Sequence, residues 1–344
     1  MKEIWAAMTI AFGGLGASIA GAAEIHTLKL HHFVPVKAPL HAGFLVPFSE
    51  RVKAASGGRL IIDIAPNMEL GGKPNELLGQ VVDGSVDMVM TLPGFTPGHF
   101  PRSEVFELPF LATENILASG IFWDMIEADF QWNEYSDVRL LAGWVHGPAA
   151  IHSKVEIQSL EDVADLTLQT FTAQSTALLQ ALGANASQVS PRAAVKAMAA
   201  GETDAIAMPW EPTPSLGVAD LVDYHVEFEG SAKLYTATHI LAMNPAAYAA
   251  LPPDLQDVLD AEAGRTLSIA AASIMKAASE RGRDVAAEAG NTFVVMDYQE
   301  VKRWVDAAQR TWDAWTLKTV MDHQFDGEAL IKKVLMVFAE KGVG

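Results

Sequence analysis

The chain has 344 residues, half of them apolar, with a formal net charge of −18 and no cysteine. That length allows two domains with cores of their own, whereas the acidity excludes nucleic acid and anionic membrane as partners, since both need a Lys/Arg surface. Missing thiols exclude disulfides and thiolate metal sites.

Ile4 to Ala20 is almost wholly apolar or small, follows Lys2, and leads into Ala20-Gly21-Ala22-Ala23. Residues 1–23 therefore read as a secretory signal peptide, cut after Ala22 or Ala23, with an uncleaved anchor as the other reading because Glu3 offsets Lys2. No later run reaches the ~20 apolar residues of a spanning helix. An exported, soluble, periplasmic protein is expected.

Leu28 to Phe33 alternates as a strand, and Leu40, Phe44, Phe48 and Val52, spaced by four, give a helix one apolar face, stopped by Gly57-Gly58. Arg59 to Ile64 is a second strand, Asn75 to Val82 a helix entered through Pro74, and Val86 to Met90 a third strand. A second series opens at Ser159 and Asp162, spaced as a capping box, with a strand over Leu166 to Phe171, a helix over Ser175 to Leu182, a helix over Arg192 to Ala200 and a strand over Asp204 to Met208. Alternation of strand and helix predicts an α/β fold of two lobes, each with a mostly parallel sheet. Val138 to Val145 and Leu234 to Met243 are apolar runs flanking the second series, and they are the expected crossings between lobes.

From Asp254 to about Glu288 there is no proline, which predicts one helix of roughly 35 residues, or about 50 Å, weakened at Gly264 and Gly282 and long enough to brace both lobes. Tyr298 to Met321 reads as another helix with Val301, Trp304, Val305, Ala308, Trp312 and Trp315 on a broad face, where the tryptophans belong to packing. The expected layout is residues 24–146 with about 236–260 as lobe I, 147–235 as lobe II, a long interlobe helix over 254–288, and C-terminal helices over 289–344 packing on the lobes.

Catalytic constellations are missing. The ten histidines include adjacent His31 and His32 but no HExxH frame, and no GxSxG elbow or P-loop occurs. No cofactor, metal or enzymatic activity is expected.

Several motifs in order carry a family likeness. Pro66 with Asn67-Met-Glu-Leu-Gly-Gly72 resembles PNGQLGG; Gln80-Val-Val-Asp-Gly84 with Val86-Asp87-Met88 resembles QVxxGxxDM; Glu107-Leu-Pro-Phe110 resembles LPFL. Leu160-Glu-Asp162, Ala181-Leu-Gly-Ala184, Met208-Pro209 and Leu251-Pro-Pro-Asp254 continue the series. In this order and spacing the chain resembles the periplasmic solute-binding proteins of TRAP transporters, the DctP family. The resemblance implies a two-lobed periplasmic-binding-protein-like fold with hinge strands, closing on one small solute and delivering it to membrane permease subunits without turnover. A ligand-sensing protein for a receptor is the alternative role, and an exported hydrolase a remote third.

Ligand groups in such a fold come from loops at the carboxyl ends of strands. The candidates are His32, Phe33, Thr91, Phe95, Trp144 and His146 in the first lobe, and Gln169, Thr172, Met208, Trp210, Glu211 and Tyr235 in the second. Three positions depart from the family pattern. Gln169 stands where an arginine clamps a carboxylate, Met208 where asparagine is usual, and Ala193 where glutamate is common. A neutral amide offers one donor face where a guanidinium presents two charged donors. Trp144, Trp210 and Glu211 together suit a small cation such as ethanolamine or a similar amine. An organic acid held by Arg192, Lys154 or a histidine is the equal alternative, with a neutral polyol or aromatic third.

Overall fold

The computed structural model describes residues 24–112, 114–230 and 233–341, so the expected signal peptide lies outside the described residues. Among the described residues eleven strands form two sheets. The first, ordered β2-β1-β3-β10-β4, contains β1 (His26–His32), β2 (Leu60–Ala65), β3 (Met88–Thr91), β10 (Thr238–Met243) and β4 (Arg139–Val145). β1 runs parallel to β2 and β3, and β10 runs antiparallel to its neighbours β3 and β4.

The second sheet, ordered β11-β9-β5-β8-β6-β7, contains β11 (Thr292–Met296), β9 (Tyr224–Phe228), β5 (Ala149–Ser153), β8 (Ala205–Pro209), β6 (Thr167–Thr170) and β7 (Asn185–Gln188). β6 is parallel to β7 and β8, while β5 is antiparallel to β8 and β9. The edge strand β11 was not expected from the sequence; Thr292 to Met296 pairs parallel with β9 in front of the helix Tyr298–Met321.

Leu40, Phe44, Phe48 and Val52 are buried together, as their spacing predicts, on a wide turn over Leu40–Leu45 that continues as the helix Val46–Ala55. Burial of a side chain of that size contributes about 1.5–3 kcal/mol, so this one face anchors the first lobe. Ser159 and Asp162 form a capping box, and Thr172 caps the helix Ala173–Ala181 by accepting from the Ser175 amide.

The single helix expected over 254–288 is two helices, Pro253–Glu262 and Arg265–Glu288. Gly264 breaks it with φ 85° and ψ −153°, a conformation essentially reserved for glycine, and its amide donates to the Leu141 carbonyl of β4 at 2.7 Å. The second helix still reaches both lobes: Ala271, Ala272 and Met275 sit in the first lobe's core, and Ala286 packs with Ala150 and Trp210 in the second. Tyr298–Met321 does the same. Val301, Trp304 and Ala308 join the core of the second sheet, whereas Trp315 joins that of the first.

Candidate functional site

Two extended segments run side by side where the chain passes between sheets. β4 leads through His146 to β5, and the return passes through Tyr235 and Ala237 into β10. The ladder between them continues through the gap, with the His146 amide donating to the Ala237 carbonyl at 3.1 Å and the Ala149 amide to the Tyr235 carbonyl at 2.9 Å. Side chains on this paired crossing are held at a fixed depth between the lobes.

A cavity of about 90 Å³ lies there. That is several times the ~10–15 Å³ one water needs, so it has room for a small ring with a substituent. From the first lobe, Phe33, Val34, Leu92 and Phe95 line it, with Ala38, Pro39 and Leu40 at the start of the wide turn. From the second come Phe171, Pro191, Met208, Pro209, Glu211 and Pro212; His146, Tyr235 and His239 come from the crossing, and Met275 from the long helix. Phe33 and Phe95 meet edge to face at 5.1 Å. Almost all of this lining is apolar, and neither lysine nor arginine is among the lining residues.

The polar groups in the lining are few and buried. Glu211 is 6% exposed; Ser279 Oγ–H donates to its Oε2 at 3.2 Å, and burial without a cation pushes its carboxyl up to about 8. Burial also lowers His146 to about 4, and its Nδ1–H donates to the Gly147 carbonyl. His239 stacks on Trp144 with ring centroids 5.4 Å apart; its Nδ1 is buried without a partner, and burial holds its pKa well below the ordinary value. Tyr235 donates to the Ala207 carbonyl at 2.8 Å.

Around the cavity the lobes touch directly. Gln174 Nε2 donates to Glu104 Oε2 at 2.8 Å, Arg192 Nη2 donates to Asn67 Oδ1 at 3.2 Å, and a Cβ on Gly94 would lie 2.7 Å from Thr172 Cγ2. Beneath that contact Glu107 is fully buried. Its Oε1 accepts from the Thr238 amide and hydroxyl, its Oε2 has no partner, and burial raises its pKa to about 8.

Phe33, Phe95, His146, Met208, Glu211 and Tyr235 of the predicted candidates line this cavity, and the other six do not. His32 is buried at the end of β1, its Nε2 2.9 Å from His41 Nδ1. Thr91 ends β3 inside the lobe, and Thr172 is spent on its helix cap. Gln169 pairs in β6 opposite Ile206, with its Oε1 buried and unpartnered. Trp144 is fully buried in the first core, and its Nε1–H points at Met275 Sδ, 3.0 Å away.

Trp210 faces away from the cavity, packed on His152, His225 and Phe293, with its Nε1–H donating to Glu227 at 3.1 Å. The group expected to cage a small cation is therefore dispersed, because strand alternation and core packing turn both indoles away from the one acid that remains. The charged alternatives are engaged elsewhere too: Lys154 Nζ donates to the Met198 carbonyl at 2.5 Å, and Arg192 is exposed. Phe171 and His239 were missed by sequence reasoning. Phe171, two residues after Gln169 at the carboxyl end of a strand, carried a usable signal; His239, inside an apolar run, carried none.

A description of bacterial extracellular solute-binding protein family 7, DctP, matches residues 30–319. The chain belongs to this family. Among solved relatives, a TRAP solute-binding protein from Rhodoferax ferrireducens in complex with copurified benzoate is 35% identical, with a TM-score of 0.88 over 92% of this chain and 98% of its own. A marine metagenome TRAP protein specific for aromatic acid ligands, in complex with 3-hydroxybenzoate, is 32% identical, with a TM-score of 0.89 over 93% and 99%. The outer membrane transporter protein TsaT of Comamonas testosteroni is 23% identical over 168 residues, 48% of this chain and 49% of that protein. The chain thus spans about half the length of the curated relatives it matches. The two sheets and the cleft between them are the two lobes of the DctP fold. Among the described residues no helix is long and apolar enough to cross a membrane, and no group of three or more His, Asp or Glu is placed to hold a metal.

Proposed function

We propose that this DctP protein is the extracytoplasmic solute-binding subunit of a TRAP-type transporter, and that it captures a small one-ring organic acid between its lobes. It hands that solute unchanged to membrane permease subunits. The observation that carries the reading is the cavity itself, with aromatic and aliphatic walls from both lobes and the polar groups Glu211, His146 and His239 among its lining. Apolar walls favour a ring over a polyol, since a polyol's hydroxyls would be buried without partners. The benzoate and 3-hydroxybenzoate bound by relatives above 30% identity support the same chemical class.

An amine or amino alcohol is disfavoured because the two indoles that would face it lie elsewhere. Closure over the solute is expected to work through the paired crossing at His146 and Ala237, with the helices Arg265–Glu288 and Tyr298–Met321 spanning both lobes.

Thermal unfolding with and without solute tests the reading. Benzoate at 100 times its dissociation constant should add about 2.7 kcal/mol of stability. Stabilisation by ethanolamine with none by benzoate overturns the ligand class, and recovery of a chemically altered solute overturns the binding-protein role.

A further inference from the structure

Recognition of an acid without a cation in the lining needs a physical explanation, and Glu211 supplies one. We propose that Glu211 reads the solute's carboxyl group through a proton held between the two, so that the pair enters the site with one proton where a guanidinium would take the carboxylate alone. This rests on the organic-acid reading above.

Glu211 is fixed in place. It follows the end of β8, Ser279 of the long helix donates to its Oε2, and a Cβ on Gly147 would lie 3.9 Å from the same oxygen. Two ionised carboxyls in hydrogen-bond contact within a water-poor cavity would repel strongly, so one of them must hold a proton. The shared form is a single short charge-assisted hydrogen bond. It balances simply. Protonated Glu211 meets the solute carboxylate, no covalent bond changes, and the pair carries one negative charge. His239 Nδ1, buried without a partner in the same lining, is placed as the second polar contact.

Among the residues lining the cavity Glu211 is the one whose carboxyl is raised into the neutral range, while Glu107, raised likewise by burial, lies outside the lining. From the crossing come His146 and His239, both held neutral by burial, and Tyr235, whose phenol burial raises. The long helix offers Ser279, and the basic groups that follow it, Arg281 and Arg283, are bound to Glu288 and Glu227. Across the cleft Glu104 is bound by Gln174.

Isothermal titration with benzoate from pH 5.5 to 9.5 is the test, on the wild-type protein, Glu211→Gln and Glu211→Leu. Affinity in the wild type should be level at the acid end and weaken about tenfold per pH unit once Glu211 ionises near pH 8. Glu211→Gln, whose amide donates permanently, should bind without that loss, and Glu211→Leu should bind at least tenfold more weakly at every pH. A wild-type affinity independent of pH up to 9.5, or a loss that persists in Glu211→Gln, overturns the shared proton while leaving the acid reading intact. Absence of benzoate binding at every pH in a folded wild-type protein overturns both.

Discussion

Gly282 lies directly over the carbonyl of Trp210. A Cβ at Gly282 would stand 2.2 Å from the Trp210 oxygen and 3.0 Å from Thr213 Oγ1. The long helix therefore crosses the second lobe at the one turn where it has no side chain, immediately beside Glu211. A mid-helix glycine costs about 1 kcal/mol in propensity, and the close backbone approach explains why it is tolerated. Gly282→Ala should destabilise the protein by about 1–3 kcal/mol in urea unfolding, since a main-chain carbonyl cannot step aside, and should weaken solute binding by displacing Glu211. A more stable variant would mean that the helix does not rest on this carbonyl.

Stability of the unliganded protein should pass through a maximum below neutral to near-neutral pH. Glu107 and Glu211, raised from 4.5 to about 8, hold protons when folded that they release when unfolded. Their contribution is full below 4.5 and is lost as pH rises through 8. His32, His146 and His152 go the other way, lowered from 6.5 to about 3, 4 and 3 by burial. Their contribution is present above 6.5 and is lost as pH falls towards those values. A Tm profile that climbs steadily from pH 5 to pH 9 would contradict this.

Trp210→Phe should separate packing from recognition. The substitution removes the donor to Glu227 and part of the stack on His152, His225 and Phe293, so a loss of about 1–2 kcal/mol is expected. Benzoate affinity should stay within about threefold. A tenfold loss of affinity at equal stability would put the indole at the ligand.

Gln169→Met should be neutral or slightly stabilising, because it deletes a buried oxygen that has no partner. An unmade hydrogen bond of this sort costs about 1–3 kcal/mol, part of which an apolar side chain of similar length recovers. Denaturant midpoints of the two proteins decide it, and a clear destabilisation would reveal a partner for that oxygen.

Six of the twelve expected candidates line the cavity, and they could be named because strand ends are set by local pattern. Phe33 follows β1, Met208 lies near the end of β8 and Glu211 just beyond it, and His146 follows β4, so each could be named from alternation and punctuation alone. Trp144 and Trp210 could not be placed the same way. Both lie within two residues of a cavity-lining side chain, and a shift of one residue along an extended chain turns a side chain to the opposite face. Gln169 shows the same limit, since its place in a familiar motif did not reveal that its amide stops short of the cavity.

By itself the sequence determined the family, the two α/β lobes, the helix Tyr298–Met321 at its observed bounds, and the absence of the usual arginine, because each follows from periodicity, capping or residue identity along a short stretch. Only the tertiary structure decided that the helix over 254–288 breaks at Gly264, that β11 closes the edge of the second sheet, and that Glu211 and His239 line the cavity while the two indoles do not. Those outcomes depend on which faces of distant segments meet, and no local pattern carries that information.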